Sequence, residues 1–345
     1  MPGSQLRWLK NSVSSACVLR FDSIAADSAL SVRCYCLRMD SLFTAKEDIS
    51  LTSAAAEHYL ARFRKVLAYM DEHLHDDLSV EQIGQTAGFS KYHFQRQFSE
   101  LFGLSVYKYI QLQRLKRASY QLVFRQPRQI IDIALACGYE NPESFTRAFK
   151  KNIGQAPFKF RKQPQWIPWH ATYQPLNHLR ITHMTSAYQV GQVRLIAFKP
   201  TRVAAIEHRG DPRLVGHSVR NFIEWRKQVG LSPKASATFN ILYDDPAGTA
   251  PQDYRLDICA TTNREIASNL FGVIEKTLPG GRCAVLRHQG SDNGLGQAIA
   301  YLYSQWLPHS GEALRDFPIY VQRVSFFPDV AEHQAVTDIF LPLDG

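Results

Sequence analysis

Residues 78–98, LSVEQIGQTAGFSKYHFQRQF, decide the fold of the N-terminal half. Ser79 is placed to cap a short helix, because its hydroxyl can accept a hydrogen bond from an unpaired backbone N–H. Gly88 suits the sharp turn that ends this helix, and Ser90 is placed to cap a second one. The apolar residues predicted to face the core are Val80, Ile83 and Ala87 on the first helix and Phe94, Phe98 and Leu101 on the second.

The second helix leaves Tyr92, Gln95 and Arg96 off its apolar stripe. The side chains of Gln and Arg carry paired hydrogen-bonding groups that match the edges of adenine and guanine in the major groove. The pattern therefore predicts a helix-turn-helix whose exposed face contacts double-stranded DNA.

The same order of residues returns at 130–149, which read IIDIALACGYENPESFTRAF. Gly138 follows Gly88 by 50 residues, and the two phenylalanines of the second helix recur 51 residues on. Asn141 is a good N-cap, and Pro142 falls at the first helical position, where its missing N–H costs nothing. The residues that stay off the second apolar stripe are Thr146, Arg147 and Lys150. Two copies at a fixed offset favour DNA binding over a plain helical bundle.

A single helix is predicted between the two copies, at Val106–Phe124. Its apolar positions are Ile110, Leu112, Leu115, Ala118 and Leu122. Nineteen residues give a rod of roughly 28 Å. Since one turn of duplex DNA is about 34 Å, two recognition helices on such a rod can enter successive major grooves.

The distribution of charge agrees with this interpretation. The chain of 345 residues has a net charge of +9, and residues 57–163 hold 17 Lys and Arg against 10 Asp and Glu. Residues 164–345 are nearly balanced, with 17 against 16. A local basic excess on a folded segment is typical of a protein that binds a polyanion.

Other classes of protein are disfavoured by composition. No apolar run approaches the roughly 18 residues that a membrane span needs, and the six cysteines show no paired CxxC spacing. We therefore expect reduced thiols, a cytoplasmic location, no metal and no cofactor. Residues 1–52 are rich in Ser and Ala, lack a signal-peptide pattern, and are expected to form a disordered extension.

Residues 57–163, within a DNA-binding domain predicted at residues 53–163, resemble that of the AraC/XylS family of bacterial transcription regulators. The resemblance rests on Leu78-Ser79-Val80, Gly88-Phe89-Ser90, Ile133-Ala134…Gly138-Tyr139 and Phe149-Lys150-Lys151…Gly154-Gln155-Ala156-Pro157. It implies base contacts by Tyr92, Gln95 and Arg96 from the first helix, and by Pro142, Glu143, Ser144, Thr146 and Arg147 from the second. Pro142 and Glu143 replace amide side chains of some relatives, and Pro142 cannot hydrogen-bond a base.

A second duplication follows residues 164–190, which are interpreted as a linker. Val203-Ala204-Ala205-Ile206-Glu207-His208-Arg209-Gly210 matches Cys283-Ala284-Val285-Leu286-Arg287-His288-Gln289-Gly290 at an offset of 80, and Trp225 matches Trp306 at 81. Each copy is predicted to run strand, turn, helix and two strands. The sequence thus predicts a multidomain fold, in which an all-α double helix-turn-helix domain precedes an α+β domain of two duplicated β-α-β-β modules.

Residues 191–345 resemble gyrase-inhibitor-like effector-binding domains, on the segments Tyr301–Pro308 and Thr337–Leu343. The resemblance implies an aromatic cleft for a small ligand, for which Tyr243, Trp306 and Tyr320 are the candidate residues. Trp225 and Trp306 also suit a helix–sheet core. The position that usually carries the cation-binding carboxylate is Val321, which disfavours a cation and leaves a neutral aromatic or amphipathic ligand, or no small ligand, as the expectation.

Two other interpretations of this half stay open. It could be a hydrolase of a small toxic compound, but His208 and His288 have no accompanying nucleophile motif and better suit a role in turns. The glycine-rich residues 290–296 lack the features of a phosphate loop. The C-terminal half could also be a module that binds another protein, with RNA polymerase as a candidate. We expect no catalytic residues and no membrane partner.

Overall fold

The computed structural model describes residues 48–184 and 188–345. Residues 55–345 form one compact unit. The predicted disordered extension falls outside the described residues except for residues 48–52, which belong to the first helix. That helix therefore starts before the predicted boundary of the DNA-binding domain at residue 53. Cys137, Cys259 and Cys283 are buried free thiols, as expected, while the other three cysteines lie outside the described part.

The N-terminal half of the described chain is helical. The helices are α1 (Asp48–Glu72), α2 (Val80–Gln85), α3 (Lys91–Phe102), α4 (Val106–Phe124), α5 (Ile130–Ala136), α6 (Pro142–Ile153), α7 (Pro157–Lys162) and α8 (Trp166–Met184). Helices α2 and α3 form the first helix-turn-helix, and α5 and α6 form the second. Helix α4 has the predicted bounds, and all five of its predicted apolar positions are buried.

Local capping explains where these helices begin. The hydroxyl of Ser79 accepts from the backbone N–H of Gln82, whose side chain bonds back to the backbone of Ser79. Asn141 accepts from the backbone N–H of Ser144 at 2.8 Å. Ser90 occupies the predicted N-cap of α3, but its hydroxyl makes no capping bond. The buried stripe of α3 also differs from the prediction, because Phe102 is fully buried whereas Leu101 is only partly so.

The segment predicted to be a linker is mostly the helix α8. Trp166, Trp169, Tyr173 and Leu176 recur at helical spacing and are buried in the core of the helical half. The helix accommodates Pro175 in its interior. The partly packed linker predicted at residues 164–190 thus contains a packed helix, which the sequence analysis did not identify because the prolines obscure an apolar stripe of period 3.6.

The C-terminal half is an antiparallel sheet with helices packed on it. Its elements are β1 (Val193–Phe198), β2 (Thr201–Arg209), α9 (Val215–Gln228), β3 (Thr238–Leu242), β4 (Arg255–Thr261), β5 (Ile274–Leu278), β6 (Gly281–Gln289), α10 (Leu295–Tyr301), a π-helical turn (Leu302–Trp306), α11 (Leu307–Ser310), β7 (Ile319–Ser325) and β8 (Val336–Pro342). The two predicted β-α-β-β modules are present, and each has one additional leading strand, β1 or β5.

The leading strands are exchanged between the modules. The strand order is β1-β6-β8-β7-β3-β4-β2-β5, so β1 of the first module pairs with β6 of the second, and β5 pairs with β2. The sheet is strongly curled. In a flat sheet β1 and β3 would lie about 19 Å apart, since three strands separate them, yet the rings of Phe198 and Phe239 are 6.3 Å apart.

Alternation along the strands gives the sheet two different faces. One face packs against α9 around Trp225 and against the helical segment that contains Trp306. The other face carries a separate apolar cluster, which we call the aromatic face. Its members are Phe198, Val203, Ala205, Phe239, Ile241, Tyr243, Cys259, Leu278, Cys283, Val285, Phe317, Tyr320 and Phe340, with Ile196 and Ala237 at its margin.

Candidate DNA interface and effector face

Both helix-turn-helix units turn at a glycine with a left-handed backbone. Gly88 has φ of 68° and Gly138 has φ of 74°. In α3 the buried face is formed by Phe94, Phe98 and Phe102, and in α6 by Phe145, Phe149 and Ile153. The opposite face of each helix is therefore directed to solvent.

The sequence-predicted DNA contacts lie on those exposed faces. On α3, Tyr92 is 82% exposed, and Gln95 and Arg96 are exposed as well. On α6 the exposed members are Glu143, Thr146, Arg147 and Lys150, while Ser144 is half-buried. The hydroxyl of Ser144 already donates to the carbonyl of Asn141 at 2.9 Å, so it retains only acceptor capacity for a base.

Two arginines that sequence reasoning missed hold the turns in place. Arg62 on α1 donates from Nε to the carbonyl of Ala87 at 2.7 Å and from Nη2 to that of Gly88 at 2.8 Å. Arg114 on α4 donates to the carbonyls of Gly138 at 3.0 Å and of Leu74 at 2.7 Å. Each long helix thus anchors the turn of the unit that follows it. Because the acceptors are backbone carbonyls, which every residue has, no partner side chain in the sequence indicates these hydrogen bonds.

We expect Gly138→Ala to destabilise the helical half by about 2–5 kcal/mol. The left-handed backbone penalises any Cβ. A Cβ here would also lie 2.7 Å from Cζ of Arg114 and from the carbonyl oxygen of Leu74, which adds overpacking. Gly154→Ala is the matched control, because Gly154 has φ of 79° and nothing within 4 Å of its Cβ position. Urea unfolding of both variants should show the larger loss for Gly138; equal losses would contradict the packing argument.

The aromatic face centres on Tyr320. Its ring stacks on Phe340, with centroids 5.0 Å apart and planes at 7°, and Phe198 meets it edge-on at 5.3 Å. The Sγ of Cys283 lies 3.3 Å from its hydroxyl. Burial raises the pKa of Tyr320, so the side chain offers a neutral ring and a neutral hydroxyl.

A charged group lies at the edge of this face. Asp257, which is 2% exposed, accepts from Nζ of Lys276 at 2.5 Å and from the hydroxyl of Tyr243 at 2.8 Å. Lys276 also donates to Glu207 at 2.6 Å. Burial lowers the pKa of Lys276, but hydrogen bonds to Asp257 and Glu207 outweigh it and leave the pKa raised. The buried carboxylate is therefore already neutralised by a lysine.

The three predicted ligand residues are not brought together. Tyr320 and Tyr243 lie on the aromatic face, whereas Trp306 is buried on the opposite, helix-covered face. Val321 lies on the helix-covered face too, so its position does not border the aromatic cluster. The core interpretation of Trp306 is the one that its contacts support.

His208 and His288 occupy equivalent turns. His208 lies 2.9 Å from Oγ of Ser218 and 3.2 Å from the carbonyl oxygen of Asp211. His288 lies 2.6 Å from the hydroxyl of Tyr188 and 2.9 Å from the carbonyl oxygen of Ser291. Both ring nitrogens of each histidine are engaged in structural contacts, which supports the predicted role in turns.

We expect the free energy of unfolding to fall as the pH drops below about 6.5. Burial lowers the pKa of His288, so the unfolded chain takes up the proton first and acid favours unfolding. Urea titrations between pH 5 and 8 should show a smaller decline in His288→Gln. A residual slope is expected from His170 and His217, whose pKa burial also lowers. An unchanged slope in His288→Gln would contradict the assignment.

In the described part of the chain, no helix combines the length and apolarity required to cross a bilayer. The same residues contain no group of three or more His, Cys, Asp or Glu side chains placed to hold a metal ion.

Known proteins match both halves of the chain. A model of the GyrI-like small molecule binding domain matches residues 191–344, and a model of a helix-turn-helix domain matches residues 83–163. The probable transcriptional regulator YgiV of Escherichia coli strain K12 is 41% identical over 152 residues, which make up 44% of this chain and 95% of YgiV.

Two further relatives match over shorter lengths. The right origin-binding protein of Escherichia coli strain K12 is 37% identical over 103 residues, or 30% of this chain and 35% of that protein. YbfP, an uncharacterized HTH-type transcriptional regulator of Bacillus subtilis strain 168, is 40% identical over 104 residues, or 30% of this chain and 35% of that protein. The chain thus belongs to the family of proteins that join an AraC-type helix-turn-helix domain to a GyrI-like small-molecule binding domain.

Proposed function

We propose that this protein is a transcription regulator that binds a specific promoter or operator sequence in double-stranded DNA. The observation that carries the proposal is the pair of exposed faces on α3 and α6, each turned outward by a glycine turn. Arg62 and Arg114 fix these turns to α1 and α4. Arg96 and Arg147 on these faces are suited to bidentate contacts with guanine, and Lys150 is suited to phosphate.

The spacing of the two helices supports reading of successive grooves. Helix α4 has 19 residues, about 28 Å of rise, and it lies between the two units. An offset of this size brings two recognition helices to one face of a duplex, whose turn is about 34 Å.

Selection from genomic fragments tests this function directly. Purified full-length protein is incubated with fragmented genomic DNA at physiological salt, and retained fragments are sequenced and footprinted. We expect enrichment of a motif with two half-sites about one helical turn apart. Binding without preference over random duplex would overturn the proposal.

For the C-terminal half we propose a small effector that is aromatic or amphipathic and carries no net positive charge. The aromatic face offers stacking surfaces at Tyr320 and Phe340. Its buried carboxylates, Asp257 and Asp338, are neutralised by Lys276 and Arg287, so a cation would find no unpaired charge there to offset its desolvation. Because Tyr320 is fully buried, a ligand must displace neighbours, among which Phe198 lies on the edge strand β1.

We expect Tyr320→Leu to weaken binding of the neutral aromatic probe N-phenyl-1-naphthylamine at least about tenfold, since it removes the stacking ring. Tyr320→Phe keeps the ring and should bind as the wild type does. Probe fluorescence measures binding, and thermal unfolding verifies that each variant is folded. Equal affinity of both variants would exclude the aromatic face as the binding site.

The proposed location, protein partner and lack of catalysis follow from DNA binding and effector binding. We propose that the protein acts in the cytoplasm, where the chromosome is accessible, that RNA polymerase is its partner at the promoter, and that it is not an enzyme. Turnover of a bound compound by the purified protein would overturn the last point.

A further inference from the structure

The loop between β7 and β8, residues 326–335, contacts the DNA-binding domain. The ring of Phe327 meets Tyr120 of α4 at 5.2 Å. Asp329 accepts two hydrogen bonds from the guanidinium of Arg125, at 3.1 Å and 2.5 Å. Near the end of α1, Glu72 is the partner of His333 at 3.1 Å.

A buried ion pair lies at the centre of this contact. The Nζ of Lys116 donates to Oε1 of Glu332 at 2.6 Å, with side-chain exposures of 5% and 8%. Ser291 of the effector domain donates to the same oxygen at 2.6 Å. A charge buried to this degree requires its partner, so removal of either member leaves the other charge buried and unpaired in the docked arrangement.

The loop reaches the elements that hold both recognition units. Gln113, Lys116 and Tyr120 lie at i, i+3 and i+7 on one face of α4. Arg114 of the same helix binds the turn of the second unit, and α1, which carries Glu72, holds the turn of the first through Arg62. Apart from the half-buried Pro142 and Ser144, the predicted DNA-contacting side chains of α3 and α6 remain exposed in this docked state, so docking does not cover them.

The other end of the loop is connected to the aromatic face. Strand β7 leads from Tyr320 to Ser325 and β8 leads from Val336 to Phe340. Strand β7 spans roughly 17 Å from Tyr320 to Ser325, at about 3.3 Å per residue, and it pairs with β8 apart from an irregularity between Arg323 and Ser325. The loop is thus held between the two strands that carry the stacked rings.

We propose that residues 326–335 are a coupling segment, through which the state of the aromatic face and the placement of the two recognition helices influence each other. The inference rests on the proposed function and deepens its regulation. Coupling between two sites is reciprocal, so DNA binding at α3 and α6 must alter the coupling segment even without a small effector.

Hydrogen–deuterium exchange of the full-length protein, with and without the selected operator duplex, tests this reciprocity. In the wild type we expect operator binding to change amide exchange at least about threefold within residues 326–335 and in the adjoining ends of β7 and β8. Glu332→Gln removes the buried charge with nearly the same shape, and the change at the coupling segment should disappear.

Lys116→Gln removes the other charge of the same ion pair, on α4. If Glu332→Gln does not fold, the exchange of Lys116→Gln with and without operator provides the test of the coupling. Glu312→Gln is the matched control, because Glu312 pairs with Arg282 inside the effector domain at 2.7 Å; this variant should respond to DNA as the wild type does. No exchange change in the wild type, or a change retained in both pair variants, would overturn the coupling alone. If no duplex binds at all, the proposed function fails and the coupling fails with it.

Discussion

The double variant Arg96→Ala/Arg147→Ala is expected to lose operator affinity by roughly two to four orders of magnitude. Each bidentate arginine–guanine pair is worth about 1–3 kcal/mol of discrimination, and contacts on separate helices are expected to add. Both side chains are exposed on the faces that point away from the helical core, so their removal should not unfold the domain. Titration of labelled operator at fixed salt measures the loss.

The matched control for this variant is Arg194→Ala/Arg209→Ala. It removes the same net charge from two exposed arginines of the effector domain and should leave operator affinity within about twofold, because distant exposed charges are screened at physiological salt. The single variants distinguish the contributions of α3 and α6. Arg96→Ala should relax the base preference in one half-site, and Arg147→Ala should relax it in the other. Loss of affinity for random duplex to the same extent as for operator would assign these arginines to phosphate contacts and contradict the base-reading role.

The second large effect is expected at Trp306. Trp306→Ala should lower the free energy of unfolding by about 3–5 kcal/mol, because it empties a large site in a packed core. The side chain is 7% exposed and packs against sheet residues such as Ile339 on the helix-covered face. Calorimetry or urea unfolding of the full-length protein measures the change.

Tyr303→Ala is the control for Trp306, since Tyr303 lies on the same helical turn but is 40% exposed; it should cost less than about 1 kcal/mol. Trp306→Phe should recover most of the stability and bind N-phenyl-1-naphthylamine like the wild type. A stable Trp306→Ala protein with lost probe binding would restore the sequence-based assignment of Trp306 to the ligand site.

Sequence reasoning succeeded where periodicity and capping act over short distances. The bounds of α4 and the exposed faces of α3 and α6 follow from apolar spacing, glycine turns and caps within about 20 residues. The repeated modules of the GyrI-like domain were likewise visible as matched segments. The base contacts themselves remain predictions.

What the sequence could not show depends on contacts between distant residues. Arg114 binds backbone carbonyls at Leu74 and Gly138, and any residue type could supply these acceptors. The Asp257–Lys276 pair arises only once β4, β2 and β5 are adjacent. The sequence left Trp306 as a candidate for both the ligand site and the helix–sheet core, because the apolar spacing of a helix in an α+β domain does not indicate which face of the sheet the helix covers.

The exchanged leading strands have a consequence for how this domain can be divided. Cleavage of the chain near residue 270 would leave β1 without β6 and β2 without β5. Each fragment would then have open sheet edges, whose unpaired backbone groups can pair with another strand. Two copies of one module could restore these pairings by exchanging their first strands, as β1 and β5 are exchanged between the two modules of the present domain.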